Sequence, residues 1–116
     1  MSDRNVSEIE VREKAIIAVI QRSALDERAA AALEDEIVAA AAQHPGLPVI
    51  LDFGKVQFAP SVALGTLVRI RNGFKFENRR LLLANLTGPV RGTVNVTRLH
   101  RIVEVHATLD AALAAI

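Results

Sequence analysis

The chain contains no cysteine, tryptophan or tyrosine, and only four phenylalanines among its 116 residues. Without cysteine there are no disulfides and no thiolate metal sites, which suits a reducing compartment. So few aromatics leave little with which to build base-stacking platforms or sugar-binding faces. Charge of one sign is also missing. The formal net charge is +1, so no global field draws in nucleic acid or an acidic membrane. Long hydrophobic runs are absent too. AIIAVI and LLLA are the strongest, and neither could cross a bilayer. The first residues, MSDRNVSEIE, carry mixed charge and no apolar signal core, so they do not read as a signal peptide. The expectation is a cytoplasmic protein with no membrane insertion and no nucleic-acid partner.

Apolar residues make up 51% of the chain, ample material for one ordinary domain core. Residues 1–7 are polar and read as a flexible end of a single domain spanning 1–116. Ile9 and Val11 begin an alternating pattern and Ala15–Ile20 is a compact apolar run, which predicts two adjacent strands turning near Glu13–Lys14. SALDERAAAALEDEIVAAAAQ is rich in the best helix former, with Leu33, Ile37 and Ala40/Ala41 on one face. Its start lies at Ser23, paired with Asp26 as in a capping box, or at Asp26 alone. HPGLP stops it.

Val49–Phe53 reads as a strand buried on both faces. Gly54–Pro60 is a loop, and a helix from Ser61 carries Leu64, Leu67, Val68 and Arg71, with Asn72–Gly73 as its end. Arg79–Leu86 is another buried strand. Thr87-Gly88-Pro89 opens a helix, with Thr87 as its cap. Periodicity alone leaves residues 90–98 between strand and helix. Ile102–Val105 is a short strand, and Thr108 caps a final helix with Leu109, Ala112, Leu113 and Ile116 as its stripe. The alternation predicts an α/β fold: a mostly parallel mixed sheet with an antiparallel edge strand, order ββαβαβαβα, with helices packed on the sheet.

Ligands and partners of such sheets meet the loops at the carboxyl ends of the strands. Two of those loops end in a hydroxyl residue at a helix start, Ser61 and Thr87. Either is a natural N-cap, and together they could contact an anion or nucleotide. His44, His100 and His106 lie apart, and no carboxylate–His–Ser or His-x-x-His spacing links them. The phosphate-binding patterns G-x-x-x-x-G-K-S/T and G-x-G-x-x-G are missing. No catalytic residues, metal site or cofactor are therefore expected. Asp52, at a strand end, is placed to hold loop amides. Arg69, Arg71, Lys75, Arg79 and Arg80, opposed locally only by Glu77, read first as a solvated helix end and second as a patch for an acidic partner.

DFGKVQFAPSVALGTL resembles the STAS domain, the family of sulfate transporters and anti-sigma factor antagonists. Members often have an aspartate closing the third strand, here Asp52, then a loop with a Phe, here Phe58. An Asp-Ser pair, small residues and Leu-Gly follow at the opening of the second helix; here they read Pro60-Ser61, Val62-Ala63 and Leu64-Gly65. SALD resembles the family's Gly-Glu-Leu-Asp before the first helix. ANLTGPVRGTVNVTRLHRIVEV resembles the segment where a short helix ends before a Leu, here Leu99, which makes 90–98 helical.

The resemblance implies a non-enzymatic regulator that switches partners. An unphosphorylated antagonist binds an anti-sigma factor, commonly a serine kinase, which phosphorylates the serine of the Asp-Ser pair, and a serine phosphatase resets it. The matching serine is Ser61. The implied partner surface is Phe58, Pro60, Ser61, Val62, Leu64 and Gly65. Pro60 stands where the family's aspartate precedes the serine, so a phosphorylation-independent scaffold or transporter-associated subunit is the alternative, with a nucleotide-binding sensor behind it. Self-association is left open.

Overall fold

The computed structural model describes residues 5–116. In chain order the elements are β1 (Ser7–Val11), β2 (Ile16–Ile20), α1 (Glu27–Gln43), β3 (Val49–Asp52), α2 (Ser61–Lys75), β4 (Leu81–Ala84), α3 (Gly88–Thr97), a 3-10 turn (Leu99–Arg101), β5 (Glu104–His106) and α4 (Leu109–Ala114). They form one sheet in the order β1-β2-β3-β4-β5, with β1 antiparallel to β2 and every other neighbouring pair parallel.

The period-2 alternation of the strands decides the layering. Ile16, Ala18, Ile20, Val49, Leu51, Leu81 and Leu83 face the larger core, closed by Leu33 and Ile37 of α1, Leu67 and Phe74 of α2 and Val90 of α3. Ile17, Ile50, Leu82 and Ala84 face the other way, onto Ala112, Leu109 and Leu113 of α4. The continuous apolar runs VILD and LLLA therefore have helices on both sides. At roughly 1.5–3 kcal/mol for each large side chain withdrawn from water, these rows are the chief source of stability.

Local chemistry sets the ends of the elements. Asp26 caps α1, its carboxylate accepting from the Ala29 amide at 2.8 Å. Thr108 caps α4 in the same way, accepting from Ala111 at 3.0 Å. Gly46, with φ +86, carries the turn out of α1 in a backbone region that L side chains rarely adopt. The β1–β2 turn needs no such residue. Arg12 N–H donates to the Ala15 carbonyl at 2.8 Å, and neither Glu13 nor Lys14 has positive φ. A tight turn without Gly or Asn is thereby reconciled with its sequence.

Several expectations are corrected. The helix opened by Ser61 does not end at Asn72–Gly73. It runs to Lys75, because Phe74 continues the inward stripe of Leu67 and Ile70 into the core. β4 is shorter than Arg79–Leu86: the side chain of Arg79 is held elsewhere, and Asn85 turns to φ 60. β5 lies at Glu104–His106 rather than Ile102–Val105, since Ile102 still belongs to the turn that follows Leu99. Residues 1–4 of the expected flexible end lie outside the described residues. Val6 and Ser7 are in contact with the domain: Val6 is buried, and the Glu36 carboxylate accepts from both their amides at 2.8 Å and from the Ser7 hydroxyl at 2.6 Å.

Candidate functional site

The loop from Gly54 to Pro60 leaves the carboxyl end of β3 and is stitched down on two sides. Gly54 N–H donates to Asp52 Oδ1 at 2.8 Å, so Asp52 holds a loop amide as its position suggested. A Cβ on Gly54 would come within 3.1 Å of that oxygen, which explains the small residue there. On one side, the Ser23 carbonyl accepts from Gln57 and Phe58, and Leu25 N–H donates to the Phe58 carbonyl at 2.8 Å. This short bridge extends the β2 and β3 edges beyond the sheet proper. On the other, the Thr87 hydroxyl donates to the Val56 carbonyl at 2.6 Å. Lys55 Nζ reaches Gln21 Oε1 at 2.7 Å.

That frame fixes the start of α2. Pro60, extended at φ −70 and ψ 164, is the N-cap residue, and its carbonyl accepts from Ala63 and Leu64 at 2.9 and 3.1 Å. Proline suits the position because its ring presets φ near this value. Ser61 is the first residue within the helix, not its cap, and no side-chain cap bond is made. The cap reading of Ser61 is therefore corrected. Thr87 occupies the N-cap position of α3 as expected, although its hydroxyl crosses to Val56 and makes no side-chain cap bond. The hydroxyl proton of Thr87 is thus committed inside the fold, which weakens the expectation of paired hydroxyl donors for an anion or nucleotide at Ser61 and Thr87.

The six residues of the expected partner surface divide. Phe58 and Val62 are 57% and 53% exposed, unusual for large apolar side chains. Ser61 and Gly65 are also exposed, and Pro60 is half-buried. A Cβ at Gly65 would meet nothing within 4 Å. Leu64 is corrected: at 3% exposure it packs into the core, because a helix whose inward stripe includes Ala63 and Leu67 turns Leu64 the same way. What remains is an apolar rim around an exposed serine hydroxyl at the start of a 15-residue helix whose first turn carries no acid. The helix dipole makes that position receptive to negative charge. Periodicity did not reveal the part played by Ser23 and Leu25, which act through backbone groups; the only signal was the SALD resemblance.

The charged residues at the far end of α2 do not form one solvated patch. Arg69 pairs with Glu34 of α1 at 2.8 Å and Arg80 with Glu104 at 2.6 Å. Arg79 is buried. The Arg69 hydrogen bond holds the Glu34 carboxyl below its ordinary range, and Arg80 does the same to Glu104. His106 Nε2 is buried without a hydrogen-bond partner, 3.6 Å from Glu104. Among the described residues no helix is long and apolar enough to cross a membrane.

The STAS domain model matches residues 7–112, and the chain belongs to the STAS domain family. Its solved relatives are of the same build. An anti-sigma factor antagonist from Mycobacterium paratuberculosis superposes with a TM-score of 0.82 at 26% identity, covering 95% of this chain and 92% of that one. A STAS domain anti-sigma factor antagonist protein from Planctomyces limnophilus has a TM-score of 0.82 at 18% identity, covering 94% and 95%. The anti-sigma factor antagonist SpoIIAA in its unphosphorylated form has a TM-score of 0.77 at 20% identity, covering 94% of each chain. No curated protein matches the sequence significantly.

Proposed function

We propose that the protein is a regulatory binding module of the anti-sigma factor antagonist kind, which engages an anti-sigma factor through the start of α2 and is switched at Ser61. The observation that carries this reading is the Ser61 hydroxyl, exposed and free of any capping bond, set between the exposed apolar side chains of Phe58 and Val62. Likeness to solved anti-sigma factor antagonists supports the partner class. Phosphorylation by a kinase-type anti-sigma factor would add about −1.5 to −2 charges at neutral pH. At the first residue of α2 the helix dipole accommodates them, so the fold survives. At an interface built on Phe58 and Val62 they must be desolvated, and a cost of roughly 4 kcal/mol there lowers affinity about a thousandfold.

The test is binding of wild-type, Ser61→Ala and Ser61→Asp proteins to a kinase-type anti-sigma factor, with mass spectrometry of Ser61 after incubation with ATP. The expected result is binding by wild type and Ser61→Ala, none by Ser61→Asp, and phosphate on Ser61. Equal binding by all three with no phosphate refutes the switch.

Pro60 favours a second reading. Where the family motif offers a carboxylate, this chain offers a ring, so the same face serves a phosphorylation-independent scaffold. In that case the anti-sigma factor leaves Ser61 unmodified while Phe58→Ser still weakens binding.

A further inference from the structure

The end of the domain opposite Ser61 carries features that neither the fold nor the proposed switch requires. Two grooves, of about 330 and 430 Å³, meet there at Asn78 and Arg80. The first is walled by Arg71 and Lys75 of α2 and by Ile102. Glu104, the acid in its lining, is already held by Arg80, and the lining Arg79 is paired with Glu77. Lys75 makes no ion pair or hydrogen bond among the described residues, and Arg71 commits a single N–H, to the neighbouring Asn72 at 3.0 Å. Next in the chain to Lys75, Phe76 is 93% exposed, and Ile102 is 43% exposed. A cation in the last turn of α2 is explained by the helix dipole. A half-buried Arg71 with unused donors, in a groove with exposed Ile102 and with exposed Phe76 following Lys75 in the chain, is not.

We propose that this groove is a second docking surface, which takes an acidic segment of a partner protein and seats an apolar side chain of that segment against Phe76 and Ile102. Charge complementarity names the occupant. The planar donors of Arg71 fit carboxylates in pairs, and the flanking apolar surface gives such a segment something to bury. A lipid surface fits less well, because Arg71 lines a concavity and is half-buried, out of reach of a flat bilayer. The surface lies away from Ser61 and does not depend on the switch.

The probe is a short fluorescein-labelled peptide of glutamate and leucine, followed by fluorescence anisotropy and by amide chemical shifts. Shifts are expected at Arg71, Lys75, Asn78 and Ile102, with binding weakened by added salt. Arg71→Glu with Lys75→Glu lowers affinity roughly tenfold or more, Phe76→Ser several-fold, and Ser61→Asp leaves it unchanged. Lys75→Gln and Phe76→Ser change only surface atoms, so they keep the test decisive if the double reversal does not fold. Peptide affinity unmoved by these substitutions, or lost with Ser61→Asp, overturns the proposal. So does binding to phosphatidylglycerol vesicles that depends on Lys75 when the peptide does not bind.

Discussion

Arg79 is the residue whose removal the structure evaluates most directly. Its side chain is only 2% exposed, whereas its ion-pair partner Glu77 is 52% exposed. Arg79 Nη1 donates to the carbonyls of His44 at 3.0 Å and Leu47 at 2.7 Å, and Nη2 to the carbonyl of Ala41 at 3.1 Å. These carbonyls belong to the last turn of α1, its C-cap and the loop just beyond, where backbone amides alone satisfy the Ala41 and His44 carbonyls only in part. The guanidinium also lies 5.4 Å from the centre of the Phe74 ring. Arg79 thus closes the C-terminus of α1 from another part of the chain and ties it to the start of β4. Hydrogen bonds from a charged donor are each worth about 1.5–3 kcal/mol. The ion pair to half-exposed Glu77 is worth at most about 1 kcal/mol. With water entering the vacated space, Arg79→Ala is expected to cost about 3–5 kcal/mol. That is a large share of the roughly 5–15 kcal/mol that holds a domain together. The measurement is urea unfolding followed by far-ultraviolet circular dichroism, since the chain has no Trp or Tyr to report by fluorescence. Glu77→Gln should cost less than about 1 kcal/mol in the same assay. Arg79→Lys should fall between, because one ammonium cannot reach all three carbonyls. An Arg79→Ala variant within about 1 kcal/mol of wild type refutes the reasoning, and so does a Glu77→Gln loss equal to it.

Gly65 sits in the exposed face of α2 with open space where a Cβ would go, so Gly65→Ala should stabilise the domain by about 0.5–1 kcal/mol in thermal unfolding. If the same variant also loses affinity for an anti-sigma factor, the glycine serves the interface and not the helix. Glu36→Ala removes the acceptor of the Val6 and Ser7 amides and the Ser7 hydroxyl; a loss of about 2 kcal/mol is expected, with faster hydrogen exchange at those two amides. Arg80 holds Glu104 below its ordinary pKa of 4.5, so that contribution is complete above pH 4.5 and is lost as pH falls through the lower folded-state value. Solvent screening of this half-exposed pair keeps it below about 1 kcal/mol, and Glu104→Gln should flatten the stability profile in that acid window.

Much of the fold was legible because it rests on local signals. Alternation and continuous apolar runs marked the strands, alanine and the Asp26 cap marked α1, and Thr108 marked α4. The misplacements arose where a distant contact overrode a local one. Asn72–Gly73 is a good stop signal, but Phe74 beyond it has a place in the core. Arg79 looks like one more surface cation until α1 is folded beside it, 38 residues away in sequence from Ala41. Thr87 holds the N-cap position its chemistry suggests, but the bond its hydroxyl makes is to the Val56 carbonyl of a distant loop. No periodicity in one stretch can announce a partner supplied by another.

The motif that carried the resemblance mixes two kinds of residue, and the structure separates them. Asp52 holds the Gly54 amide, and Ala59, Ala63, Leu64 and Leu67 are buried; these shape and seat the loop and the helix start. Phe58, Ser61, Val62 and Gly65 face outward and meet no such demand. Substitution in the first group is constrained by packing, at roughly 2–5 kcal/mol for a large buried side chain cut to alanine. Substitution in the second changes stability little and leaves the surface chemistry to decide what binds. Pro60 stands at the junction. It makes the backbone cap of α2 as a fold residue while removing the carboxylate that the family motif presents beside the serine. The surrounding scaffold is therefore expected to tolerate Pro60→Asp, restoring an acid at the N-cap, where it can accept from the free amides of the first turn. If kinase-type recognition of Ser61 then appears where wild type shows none, the proline itself has set this chain apart as a binder without a switch.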